Sequence, residues 1–137
     1  MYIIQNGALT GVRYVNEILN DFVRPYAGAV GPGFIFMDDN ARPHRALVAR
    51  QYLERESIER MDWPARSPDI IPLEHVWDIL QRRICDRPVQ PLTKEELTRA
   101  LIEEWEQIPR HAIRKLIRSF NSRCRAVITA RGGHTRY

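Results

Sequence analysis

Four consecutive apolar residues, Phe34-Ile35-Phe36-Met37, run straight into two acidic ones, Asp38-Asp39. A short apolar run of this kind suits a strand buried on both faces, the habit of parallel sheets. Beyond it, Ala46, Leu47, Ala49, Tyr52 and Leu53 recur at helical spacing and predict a helix over His44 to Glu56. Ile58-Glu59-Arg60-Met61 is a second short strand candidate. Strand, helix, strand in that order is a βαβ unit, so the fold class is α/β.

The flanking segments read as follows. Tyr2-Ile3-Ile4-Gln5 is a strand candidate closed by the turn dipeptide Asn6-Gly7. Val12, Val15, Ile18, Leu19, Phe22 and Val23 predict a helix from Thr10 to about Arg24, broken by Pro25 and the glycine-rich Gly28–Gly33. After the βαβ unit, Pro64, Pro68 and Pro72 stiffen a loop, because each fixes a backbone angle and removes an amide donor. Pro72 suits the first turn of a helix through Leu73, Val76, Trp77, Leu80 and Ile84. Residues 86–91 form a linker. Thr93 and Glu96 then make a capping box for a helix burying Leu97, Leu101, Trp105 and Ile108. A last helix carries Ile113, Leu116, Ile117 and Phe120 on one face, and residues 131–137 form a loose tail. The division expected is a core over 1–84 and a helical region over 85–137.

Net charge is only +4, but its distribution is uneven. Between Pro109 and Tyr137 stand Arg110, Arg114, Lys115, Arg118, Arg123, Arg125, Arg131 and Arg136, with no Asp or Glu among them. The preceding stretch carries Glu95, Glu96, Glu103, Glu104 and Glu106. Such asymmetry produces a positive field able to hold a phosphate backbone, although a solvated helix face explains a charge run equally well. No apolar run approaches the roughly 18 residues of a membrane span, and the first residues lack a secretory pattern, so an intracellular protein is expected. Cys85 and Cys124 lie far apart, without zinc-ligand spacing, and read as reduced thiols.

Two carboxylates carry the chemistry. Asp39 follows the apolar strand at its carboxyl end, and Glu74 lies in the first turn of the helix behind the stiff loop. Strand ends and an adjacent helix are where side chains converge in an α/β crevice. Carboxylates gathered there can hold two divalent ions roughly 3.5–4 Å apart, the arrangement that activates an oxygen nucleophile for phosphodiester chemistry. Taken singly, each residue has a plainer role, since Asp caps helices and turns and Glu favours a first helical turn. His44 and His75 fit packing or loop hydrogen bonding better than metal ligation, because such sites prefer oxygen. Asn40 is placed to orient Asp39, while Trp77 and Trp105 fall at core spacing.

The runs Phe36-Met37-Asp38-Asp39-Asn40-Ala41-Arg42-Pro43-His44 and, from Trp63 to Asp78, WPARSPDIIPLEHVWD closely resemble signature blocks of Tc/mariner-family transposases. The resemblance covers nearly the whole chain, including the closing Gly-Gly-His-Thr-Arg-Tyr. It implies a ribonuclease H-like fold, a catalytic Asp-Asp-Glu set, two Mg²⁺ or Mn²⁺ ions, DNA as substrate, and a nuclear location. No small-molecule cofactor or membrane is implied. The family's second Asp stands directly before Asn, which selects Asp39; its last carboxylate sits in a Pro-x-Glu-His-x-Trp run, which selects Glu74. The 34 residues between them match the branch with a terminal Glu. Phosphate contacts are expected from Arg66 in the stiff loop and from Arg114, Lys115 and Arg118 on the last helix.

Two departures from the family pattern have consequences. Ile71 stands where the family usually has Asn, in the loop that aims Glu74. The family's first catalytic Asp lies on the first strand of the sheet, well upstream, whereas only 38 residues precede Asp39 here. Among those, Glu17 and Asp21 fall on the predicted helix and Asp38 adjoins Asp39, so none substitutes. The reading is therefore a partial ribonuclease H-like fold lacking its first strands, followed by C-terminal helices. Inactivity alone is expected, with an exposed strand edge that makes the chain association-prone. The alternative is a non-enzymatic remnant that binds nucleic acid or a full-length transposase subunit.

Overall fold

A computed structural model of the chain describes residues 2–4, 7–62, 71–131 and 135. The chain divides into two compact units, one spanning Ile4–Arg66, the other Ser67–Tyr137 with Met1–Ile3.

In the first unit, Thr10 opens a continuous helical stretch by accepting the Arg13 amide on its hydroxyl at 3.2 Å. The stretch comprises α1 (Gly11–Arg13), a π-helical segment (Tyr14–Val23) and α2 (Arg24–Val30). In the π-helical segment amides reach back five residues, as in the bond from Arg24 N to the Leu19 carbonyl. The expected break at Pro25 does not occur, and the helix continues to Val30. Pro25 lies in the first turn of α2, where the bonding register changes and an absent amide costs least. The stop comes at Gly31, which adopts φ 81° and donates to the Ala27 carbonyl at 2.9 Å.

Strand β1 (Ile35–Phe36) pairs in parallel with β2 (Glu59–Arg60), Ile35 opposite Glu59 and Phe36 opposite Arg60. The bond from Met61 N to the Phe36 carbonyl, at 2.8 Å, continues the ladder. Between them lies α3 (Leu47–Arg55), completing the βαβ unit. Tyr2, Ile3 and Ile4 form no strand, contrary to expectation, since a strand exists only through a neighbour's hydrogen bonds and neither β1 nor β2 pairs with them. Gln5 and Asn6 lie outside the described residues. The core gathers Tyr14, Val15 and Leu19 from the π-helical segment, Ala49, Tyr52 and Leu53 from α3, and Ile58. Gly11 permits the close approach behind this packing: a Cβ there would meet the Ala46 Cβ at 2.5 Å.

The second unit is helical. Pro72 stands at the start of α4 (Pro72–Cys85), as its fixed φ and missing amide favour. Thr93 and Glu96 close the capping box of α5 (Lys94–Glu106), the hydroxyl accepting from Glu96 N and the carboxylate from Thr93 N. Helix α6 (Arg110–Thr129) follows Pro109. Val76, Leu80 and Ile108 are buried together, with Ile79, Leu101, Trp105, Ile113 and Leu116 packed around them. Burying each such aliphatic side chain stabilises by roughly 1.5–3 kcal/mol. Arg83 and Arg87 on the α4 side pair with Glu103 and Glu104 of α5 at 2.7–3.2 Å. Leu97, expected in the core, is exposed and Ala100 is buried instead, and Ile117 on the apolar face of α6 is exposed as well. Apolar spacing marks a helix face but not how far along it the neighbouring helices reach. Among the described residues no helix is long and apolar enough to cross a membrane.

Candidate active site

The acidic pair behind β1 divides into one inward and one outward carboxylate, as successive extended residues must. Asp38 is buried. Arg60, from β2, donates through Nε and Nη2 to its two oxygens at 2.9 and 2.7 Å, a two-pronged pairing that a guanidinium fork suits. The Tyr14 hydroxyl donates to Asp38 Oδ2 at 3.1 Å. Burial, and then the adjacent Asp38 charge, push the Tyr14 phenol well above its ordinary pKa, with Arg60 opposing. Tyr14 is therefore a neutral donor at any physiological pH.

Asp39 points the other way, its side chain 47% exposed. Its Oδ1 accepts the Ala41 amide at 2.9 Å and faces His44 Nδ1 at 2.5 Å. The His44 ring lies against the Tyr14 ring with centroids 4.3 Å apart. One carboxylate oxygen is thus clasped, while Oδ2 accepts no hydrogen bond among the described residues. Tyr14 links the two carboxylates: its hydroxyl holds Asp38, and its ring supports the imidazole that holds Asp39.

Glu74 lies in the first turn of α4, partly exposed, where the helix dipole favours its charge. Its backbone amide donates to the Ile71 carbonyl at 3.2 Å, and its carboxylate has no hydrogen-bond partner among the described residues. Asp39 belongs to the first compact unit and Glu74 to the second. Among the described residues no group of three or more His, Cys, Asp or Glu side chains could hold a metal ion. Arg66 lies outside the described residues. Arg114, Lys115 and Arg118 are all exposed on α6. Arg123, counted in the sequence among the residues of the positive field, is instead 2% exposed and donates through Nη2 to the Leu116 carbonyl at 3.1 Å.

The sequence motifs single out Asp39 and Glu74, but nothing in them points to Tyr14 and Arg60 as partners of the acidic pair. They stand 24 and 22 residues from Asp38, with no motif joining them. His44 lies five positions from Asp39, within the same motif. Its hydrogen bond fits the loop role expected of it.

Residues 6–98 match the family described as DDE superfamily endonuclease. The chain is 38% identical over 122 residues to the Tc1 transposable element transposase of Caenorhabditis elegans, covering 88% of this chain and 44% of that protein. It is 34% identical over 127 residues to the Tcb2 transposase of Caenorhabditis briggsae, covering 91% of this chain and 46% of that protein. The chain thus spans less than half the length of these curated relatives. Among solved structures, the catalytic domain of the Mos1 mariner transposase aligns with a TM-score of 0.80 at 20% identity, over 95% of this chain and 66% of that one. The same domain solved with Raltegravir and Mg aligns at 0.79, also at 20% identity, over 95% of this chain and 67% of that one. At this identity the likeness speaks for the fold: part of a ribonuclease H-like fold with a small sheet, followed by C-terminal helices.

Proposed function

This chain belongs to the DDE superfamily endonuclease family, on its Tc/mariner transposase branch, and from that membership we propose that it contributes to metal-dependent DNA cleavage and strand transfer in cut-and-paste transposition. Asp39 and Glu74 are the proposed metal-holding and catalytic residues. The observation that carries this reading is the asymmetry at Asp39, with Oδ1 clasped by His44 and Ala41 and Oδ2 open. A carboxylate so held presents an oxygen in a fixed direction, as a hard cation requires. The donor chemistry fits Mg²⁺ or Mn²⁺, which when bound would activate the attacking oxygen and ease charge on the leaving one. His44 orients Asp39, and Asp38 with Arg60 anchors the strand end from below.

The 137-residue polypeptide by itself carries two of the family's three carboxylates, and we propose that in isolation it does not cleave DNA. Residues 1–84 would form the catalytic part and 85–137 the helical region. Arg66, Arg114, Lys115 and Arg118 are proposed phosphate contacts, with transposon ends and target DNA as substrates and the nucleus as location. The test uses Mn²⁺ and a nicked or transposon-end duplex. The isolated chain should cleave no more than its Asp39→Ala variant. Joined to an upstream segment supplying a first strand and its acidic residue, it should cleave, and Asp39→Asn or Glu74→Gln should abolish that activity. Cleavage indifferent to both substitutions would overturn the reading.

The exposed arginines of α6 favour a second reading. The chain would then act without catalysis, binding nucleic acid or a full-length transposase subunit. Salt-sensitive DNA binding with no cleavage by the joined protein would select it.

A further inference from the structure

We infer that the first helical turn aims Asp39: Gly11 seats the loop that carries His44, and the Tyr14 ring backs the imidazole that clasps the carboxylate. Both are positioning residues, acting on the site only through His44. The inference rests on the reading of Asp39 as a metal-holding residue given above.

The need for an aim lies in His44 itself. Its Nδ1 faces Asp39 Oδ1, and its Nε2 has no hydrogen bond among the described residues. The χ2 torsion of a histidine is broad, so a bond at one nitrogen leaves the ring able to swing. A swinging ring lets the carboxylate turn with it, and Oδ2 then loses its fixed direction. Two contacts close off that swing. The first is the Tyr14 ring, 4.3 Å from the imidazole between centroids and tilted by 32°. Tyr14 is 3% exposed in the core, and its hydroxyl is tied to Asp38, which Arg60 holds at both oxygens. The wall behind the imidazole is therefore fixed at its base and at its tip.

The second contact is made by the loop backbone. A Cβ on Gly11 would stand 2.5 Å from the Ala46 Cβ and 3.6 Å from the Pro43 carbonyl oxygen, so the loop on both sides of His44 rests on this one glycine. Gly11 lies in α1 and is not among the glycines with positive φ, so what it supplies is space and not an unusual backbone. Tyr14 follows three positions later, on the same face of the helix. Its amide donates to the Thr10 carbonyl at 2.8 Å, which joins seat and wall in one rigid turn.

The test is nuclear magnetic resonance of the isotope-labelled full chain, with two measurements: the His44 imidazole signals, and the broadening around Asp39 on titration with Mn²⁺. In the unmodified chain the Tyr14 and His44 rings should show mutual Overhauser contacts; their absence would overturn the proposal before any variant is made. Alanine is the better helix former, yet Gly11→Ala should displace the His44 signals and weaken Mn²⁺ binding about tenfold, the low end for residues that orient a metal ligand. Adding Ala46→Gly, which removes the opposing Cβ, should restore both. Tyr14→Met fills the space without a flat face and should lose as much as Gly11→Ala, whereas the conservative Tyr14→Phe should retain the affinity. His44→Ala should show the same loss, and combining it with Gly11→Ala or Tyr14→Met should cost nothing further. Losses that add to that of His44→Ala, no rescue by Ala46→Gly, or equal damage from Tyr14→Phe and Tyr14→Met would each overturn the proposal. Asp39→Ala should abolish the Mn²⁺ broadening. If it does not, the metal reading of Asp39 falls and the His44 signals still judge the seat. If it does, while the Gly11 and Tyr14 variants leave both measurements unmoved, the seat falls and the metal reading stands.

Discussion

The two compact units solve the problem of burial in different ways. The Ile4–Arg66 unit places a charged pair, Asp38 with Arg60, against the buried phenol of Tyr14. The Ser67–Tyr137 unit centres on an aliphatic cluster and keeps its acid–arginine pairs near the surface. Burying ions costs desolvation that their attraction only partly offsets, so an ion pair set beside an apolar core is a poor way to gain stability. What the first unit gains is direction. A strand end fixed by Asp38 aims the next residue, Asp39, outward with one oxygen clasped. The helical unit needs no such aim and relies on packing and caps.

The largest effect that would break this comparison is expected from Asp38→Ala. Removing the acid leaves the Arg60 guanidinium, only 14% exposed, without its partner, which should destabilise by about 3 kcal/mol, measured by urea unfolding. Replacing both partners with apolar residues of similar volume should recover most of that loss, and failure to recover would show that the pair holds the fold as well as aiming Asp39.

In the helical unit, Leu80→Ala should cost about 3 kcal/mol in the same measurement, because Leu80 is 1% exposed at the centre of its cluster. A much smaller loss would mean the three helices adapt around a cavity, and the contrast between an aliphatic cluster and a buried ion pair would weaken.

Caps sharpen the comparison further. Thr93→Ala removes the hydroxyl that accepts the Glu96 amide and should cost about 1 kcal/mol, read from thermal melts followed by circular dichroism.

The smallest expected effect depends on pH. Glu96 accepts the amides of Leu92 and Thr93, which hold its carboxyl below the ordinary value of 4.5. A carboxyl depressed in the folded state contributes stability above its unfolded pKa and loses it as pH falls through the folded value. The stability difference between wild type and Glu96→Gln should therefore be present at neutral pH and shrink in acid. A difference independent of pH would mean the cap works through its geometry and not its charge.

Much of the architecture was legible because its causes are local. The βαβ unit follows from an apolar run, a helical period and a second strand, and the structure contains it as β1, α3 and β2. The α5 capping box and the Pro72 helix start are contained within a few residues. Local reading failed where a neighbour decided. Pro25 ought to end a regular helix, yet the π-helical segment before it shifts the bonding register and accommodates the missing amide. Leu97 has the right spacing for a core residue but no neighbour to cover it.

Sequence alone therefore determined the βαβ unit and the three helices of the second unit, the caps that begin them, and which family words surround Asp39 and Glu74. Tertiary structure alone decided that Arg60 and Tyr14 meet at Asp38, that His44 rests on Tyr14 to reach Asp39, and that Arg123 is buried while Arg114 and Arg118 remain exposed. The division has a physical origin. Backbone hydrogen bonds in helices and caps join residues three to five positions apart, while a buried charge takes whatever partner packing brings to it, here 22 residues along the chain.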